Sequence, residues 1–171
     1  MAANPIDVYR RQIERELQAG NATEHTHRPA LKTLVESLAS GITATNEPKQ
    51  VECGAPDFVI SRTAKHGPVT LGHIEAKDVG KPLDEIERSD QMKRYLPALA
   101  NLVLTDYLEF RWYVDGKYRQ SARGLLALPR AENSWWRKTG PKPFRTFSPP
   151  FSPMKASPSI ALKSWPFAWP G

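Results

Sequence analysis

The run Val51-Glu-Cys-Gly-Ala-Pro-Asp-Phe-Val-Ile-Ser61 is followed, across the turn-forming stretch Ala64-Lys-His-Gly-Pro68, by Val69-Thr-Leu-Gly-His-Ile-Glu-Ala-Lys77. Short apolar, β-branched runs bounded by Gly and Pro predict an antiparallel pair of strands. Successive strand side chains point to opposite faces, so Glu75 and Lys77 share one face and Ala76 points to the other. Asp57 opens the run Phe58-Val59-Ile60. Pro56 before it keeps the chain extended and removes one ladder donor, as is tolerated at a bulge or strand edge. Where the two runs pair, Asp57 and Glu75 can share one cation with Lys77 beside them.

The rest of the chain supplies elements to pack on this pair. Ile6, Tyr9, Ile13 and Leu17 recur at helical spacing from Pro5 to Ala19, with Gly20 as a stop. Residues 21–28 read as a loop, and Pro29 suits the first turn of a second helix. Leu31, Leu34, Val35 and Leu38 form its apolar face, and Glu36 rides on it. Asp84 is placed to cap a third helix running to about Leu99 with Ile86, Met92, Tyr95 and Leu96. Leu102-Val-Leu104 and Leu108-Glu-Phe-Arg-Trp-Tyr-Val114 read as strands joined tightly through Asp106-Tyr107. Asp115-Gly116 then signals a hairpin, with Lys117 to Gln120 returning alongside. Helices, a meander, a helix and further strands predict a small α/β domain with a mixed central sheet flanked by helices.

The acids and the lysine suit phosphodiester chemistry. Mg²⁺ takes oxygen ligands and keeps several waters, so Asp57, Glu75 and the peptide oxygen of Ala76, together with substrate phosphate oxygens, make a sufficient site. A metal held there is expected to polarise a scissile phosphate and lower the pKa of a bound water. Lys77 is expected to orient that water and counter negative charge. Glu36 is expected to complete the site from the second helix, directly or through water. Gln91 and Tyr95, four apart on the third helix, lie on one face and can reach the water or a phosphate. Each has a plainer reading: charged strand residues commonly sit on a solvated face, and a Gln beside a half-buried Tyr is ordinary. His25 and His27 lack a third ligand and read as surface residues. Lys93 and Arg94 suit either phosphate contacts or a solvated helix face.

Charge adds little to this case. Residues 1–130 hold 18 Lys+Arg against 17 Asp+Glu, whereas residues 131–171 hold 6 against 1, so the basicity belongs to the tail. That tail carries eight of the sixteen prolines and four of the five tryptophans, which excludes regular elements there. Residues 1–130 are therefore expected to form one domain. Residues 131–171 are expected to be a Pro/Trp-rich basic tail, disordered or aberrant, which could stack on single strands. Cys53 is the single cysteine, which excludes an intrachain disulfide or thiolate zinc site; it reads as an inert buried residue. No apolar run approaches the roughly 20 residues of a membrane span, and the start lacks signal-peptide regions, so a cytoplasmic setting is expected.

Gly54-Ala-Pro-Asp57, Glu75-Ala-Lys77 and Gln91-Met-Lys-Arg-Tyr95, in that order, resemble the motifs of the PD-(D/E)XK nuclease superfamily, in its branch with a Q-x-x-x-Y helix. Thr45-Asn-Glu-Pro-Lys49, Glu52-Cys-Gly-Ala-Pro-Asp-Phe58, Ile74-Glu-Ala-Lys-Asp78 and Leu104-Thr-Asp-Tyr-Leu-Glu-Phe-Arg111 further resemble the amino-terminal nuclease domain of type IIG and type I single-polypeptide restriction-modification enzymes. The resemblance covers about residues 5–128. It implies a restriction-endonuclease-like core acting on double-stranded DNA, with Asp57, Glu75 and Lys77 catalytic and Glu36 the helix-borne acid. It also implies methyltransferase and target-recognition regions encoded downstream. The chain lacks Asn-Pro-Pro-Tyr and a glycine-rich motif for S-adenosylmethionine, so it does not methylate by itself. The alternatives are a catalytically idle module that binds DNA or a partner subunit, or a truncated pseudogene fragment.

Overall fold

The computed structural model describes residues 4–48 and 53–123. The expectations for Val51, Glu52 and the 131–171 tail lie outside those residues.

Helix α1, Pro5–Gln18, starts where Asn4 accepts the Ile6 amide at 3.0 Å and Pro5 fills the first turn, whose amide needs no partner. Its predicted apolar face holds, with Tyr9 and Ile13 buried. The segment expected as a loop is instead a 3-10 turn, Glu24–His27, that runs directly into α2, Arg28–Ser37. Thr23 and Thr26 exchange capping bonds there, and Pro29 lies in the first turn of α2 as expected. The continuity corrects the reading of His27, which is 2% exposed and not on the surface. Its Nδ1 meets Glu16 Oε2 at 2.7 Å, and its ring lies on Tyr107 with centroids 5.2 Å apart. His25 stays exposed, as expected.

Six strands form one mixed sheet in the order β1 (Ile42–Asn46), β2 (Phe58–Ala64), β3 (Gly67–Ala76), β4 (Asn101–Thr105), β5 (Glu109–Val114) and β6 (Lys117–Arg123). All neighbours are antiparallel except β3 and β4, which run parallel. The predicted antiparallel pair is β2–β3. The parallel step needs a crossover, which α3 (Leu83–Glu87) and α4 (Asp90–Ala98) provide. A single helix from Asp84 was expected here; two form because Ser89 takes extended backbone and its hydroxyl accepts the Met92 amide at 3.3 Å. Asp84 lies inside α3 and pairs with Arg111 at 2.7 Å. Asp115 and Gly116 both have positive φ, 48° and 71°, as the predicted tight β5–β6 hairpin requires.

Strand alternation divides the core into two layers. Ile74, Ala76, Val103 and Phe110 meet α1 and α2 residues such as Tyr9, Ile13 and Leu31 on one face. Leu102, Leu104 and Tyr113 meet Leu83, Met92 and Tyr95 on the other. Glu75 therefore points into the α3–α4 layer, at the level of helix α4.

The edge strand β1 is closed by side chains. Lys32 Nζ donates to the Ala44 carbonyl, and the Ala44 amide donates to Glu36 Oε1 at 3.0 Å, so the two side chains satisfy outward-facing backbone groups that another strand would otherwise claim. Burial alone raises the Glu36 pKa, but Lys32 and the Ala44 amide outweigh it, and the net shift is downward. A depressed carboxyl contributes stability that is present above its unfolded pKa, about 4.3, and lost as pH falls through the folded value. Glu36→Gln is therefore expected to cost about 1 kcal/mol near neutral pH, a figure discounted for partial exposure. Urea unfolding across pH checks this, and the difference from wild type should shrink as pH falls below the usual carboxylate range.

Candidate active site

The site lies at the end of the sheet where β1 and β3 finish and β2 begins. β2 and β3 pair as far as Phe58 and Ile74, a register that, continued, would set Asp57 opposite Glu75 and then Pro56 opposite Ala76. At that point a side chain takes over from the ladder: the Ala76 amide donates to Asp57 Oδ2 at 2.8 Å. Backbone bonds fix the residues on either side, Glu47 N to Asp57 O at 2.9 Å and Lys77 N to Thr105 O at 2.8 Å. Asp57 and Lys77 thus extend one step past strands that hold them rigidly.

The expected strand-borne groups come together. Lys77 Nζ donates to Glu75 Oε1 and, at 3.1 Å, to Gln91 Oε1; Gln91 Nε2 in turn reaches the Tyr95 hydroxyl at 3.4 Å. Glu75 is 2% exposed, and its second oxygen, Oε2, is buried with no full hydrogen bond, the Asp57 backbone amide giving the carboxyl only weak support. Burial, and then the charge on Asp57, pushes the Glu75 pKa up. Burial likewise raises Asp57, against the pull of the Ala76 amide and Arg28. For Lys77, burial pulls down, but Glu75 and Asp57 outweigh it and hold the ammonium charged. Two carboxyls pushed upward, one of them with a buried oxygen that lacks a full hydrogen bond, are what an extra cation relieves.

Glu36 is not part of this cluster. Its partners are Lys32 and Ala44, and it lies eight residues beyond Arg28 on α2, roughly 12 Å of helical rise. The acid that α2 and its leading turn do bring is Glu24. Arg28 Nη2 donates to Glu24 Oε1 at 3.0 Å and to Asp57 Oδ1, while its Nη1 donates to Glu47 at 2.8 Å and Asn46 at 3.4 Å. Neither Glu24 nor Arg28 was singled out in the sequence, because residues 21–28 read as loop. The signal was an acid and an arginine four apart, one on each side of the 3-10 to α-helix junction. Ala76, expected to act through its peptide oxygen, enters through its amide. Among the described residues no group of three or more His, Cys, Asp or Glu gathers as a metal cluster. Any ion here would rest on the Asp57 and Glu75 carboxylates, with carbonyl, water or substrate oxygens completing its shell.

Gly54 closes the site from below. Its φ is 134°, and a Cβ there would lie 2.9 Å from the Tyr95 ring and 3.0 Å from its hydroxyl. Gly54→Ala is thus expected to displace the buried Tyr95 and cost about 1–3 kcal/mol through backbone strain and overpacking. Thermal or urea unfolding measures the loss, and the near-ultraviolet tyrosine signal reports the displacement.

No protein-family model matches the chain, and no curated protein matches it. Among solved structures it is similar to a chain of a DrdV–DNA complex determined by cryo-electron microscopy, with a TM-score of 0.57 and 20% sequence identity. The match covers 69% of this chain and 12% of that one. At this identity the likeness is one of fold, and it spans only a small part of that much longer polypeptide.

Proposed function

We propose that the chain is a Mg²⁺-dependent DNA endonuclease domain of the PD-(D/E)XK type that hydrolyses phosphodiester bonds in double-stranded DNA. It is further read as part or remnant of a type IIG or type I restriction-modification polypeptide with methyltransferase and target-recognition regions. The observation that carries the proposal is the buried, partnerless Oε2 of Glu75 within a cluster that also holds Asp57 and a charged Lys77. The sequence resemblance and the fold shared with a chain of a DNA complex support it.

Asp57 and Glu75 would hold the ion, which when bound supplies positive charge against phosphate oxygens and acidity to water. The ordered amide of Ala76 and the guanidinium of Arg28 fix the orientation of Asp57 before any ligand arrives. Lys77 is kept protonated, so it serves as a fixed cation and hydrogen-bond donor beside the attacking water and the phosphate rather than as a base. Gln91 sets the direction of the Lys77 ammonium and is itself set by Tyr95. Charge developing on phosphate oxygens in the transition state therefore meets an ammonium already in place.

The decisive assay is cleavage of supercoiled plasmid. Mg²⁺ should support nicking or cutting, EDTA should abolish it, and Asp57→Asn or Lys77→Ala should lower the rate by at least about 10²-fold with the circular dichroism spectrum retained. Equal cleavage by both variants removes the proposal; DNA binding without cleavage in Mg²⁺ identifies an idle module instead.

Metal binding should also be visible without turnover. Mg²⁺ binds the folded state alone, so it raises the melting temperature of wild type and not of Asp57→Asn. Both carboxyl pKa values are raised and must be deprotonated for binding, so the Mg²⁺-induced shift should grow as pH rises above the usual carboxylate range and shrink on acidification.

A further inference from the structure

The Arg28 guanidinium sits where two carboxylates of the site face each other. Its Nη2 donates both to Glu24 Oε1, at 3.0 Å, and to Asp57 Oδ1. In a two-metal phosphodiesterase the ions lie about 3.5–4 Å apart and share a carboxylate, so a second ion has to rest between the shared aspartate and a further acid. Here a cation already occupies that gap. It cannot be neutralised, because a guanidinium does not lose its proton in a protein. Nor is it free to leave: Arg28 is 6% exposed, and its other terminal nitrogen is bound by Glu47 at 2.8 Å and by Asn46 at 3.4 Å. Glu75, whose charge is coupled to that of Asp57, differs: its Oε2 is buried without a hydrogen-bond partner, and the cation beside it is the Lys77 ammonium on Oε1.

We propose that Arg28 stands in for a second metal ion, so that the site takes one divalent cation per chain, on the Asp57–Glu75 side, and acts as a one-metal hydrolase. Arg28 is in this sense a positioning residue: it compensates Glu24 and Asp57 permanently and leaves Glu75 as the side that demands an ion. The inference rests on the metal-site reading above and sharpens it to a stoichiometry.

The test is a titration of the full chain with Mn²⁺, counting bound ions by loss of the free-ion electron paramagnetic resonance signal. Wild type should saturate at one ion per chain. Arg28→Gln, which removes the charge but keeps a hydrogen-bonding side chain, should saturate at two, and its retained fold is checked by circular dichroism. Two ions in wild type overturn the proposal, as does a single ion in both proteins, which would place the limit elsewhere. If Arg28→Gln does not fold, Arg28→Met replaces it, and the wild-type count alone still decides against the proposal when it reads two. Absence of binding in wild type and variant alike fails the metal-site reading itself, a result distinct from a count of two.

Discussion

Asp57 is the point on which the molecule turns. Its carboxylate takes the Ala76 amide that the β2–β3 ladder leaves behind and the Arg28 guanidinium at the start of α2, so a single side chain ties two strands and a helix at one end of the sheet. Such a group is costly to bury and is tolerated only because each oxygen is met by a donor. Without it, the Ala76 amide loses its acceptor and Arg28 loses one of its anions. The same bonds that close the fold there also set the geometry on which the proposed chemistry depends.

Much of this was legible in the chain. Alternation along Val69–Lys77 puts Glu75 and Lys77 on one face, and the sheet holds them there, opposite the apolar Ile74 and Ala76. Pro56 marked where the ladder gives way, and Asp115-Gly116 marked the last hairpin. These signals are local, and local rules reach them. The errors came where neighbours far along the sequence decide. Glu36 has the right type and lies on the right helix, yet Ala44 of the adjacent edge strand claims it. Asp84 looks like a cap, but Arg111 of β5 draws it away and Ser89 breaks the helix instead.

Glu24 and Arg28 illustrate a different gap. Their four-residue spacing was visible, but the segment's polar residues and histidines gave it a loop-like composition. Burial of His27 against Tyr107, and the Tyr107 hydroxyl donating to the Glu24 carbonyl at 2.8 Å, are what order the turn. Tyr107 comes from the β4–β5 connection, eighty-three residues away in sequence. No window of sequence contains both partners. The acid near Asp57 is therefore set by tertiary packing, and the side chains that hold it are aromatic ones with no chemical role of their own.

The pairing of Lys32 and Glu36 with Ala44 has a consequence beyond accounting for two side chains. A lysine and a glutamate one helical turn apart present a donor and an acceptor at the separation of one residue's carbonyl and amide, and so imitate the rim of a neighbouring strand. β1 is thereby a false interior strand: exposed by position, yet already answered at its centre. At Ala44 the edge thus offers no open amide or carbonyl to another copy's backbone, which disfavours strand exchange at the middle of β1.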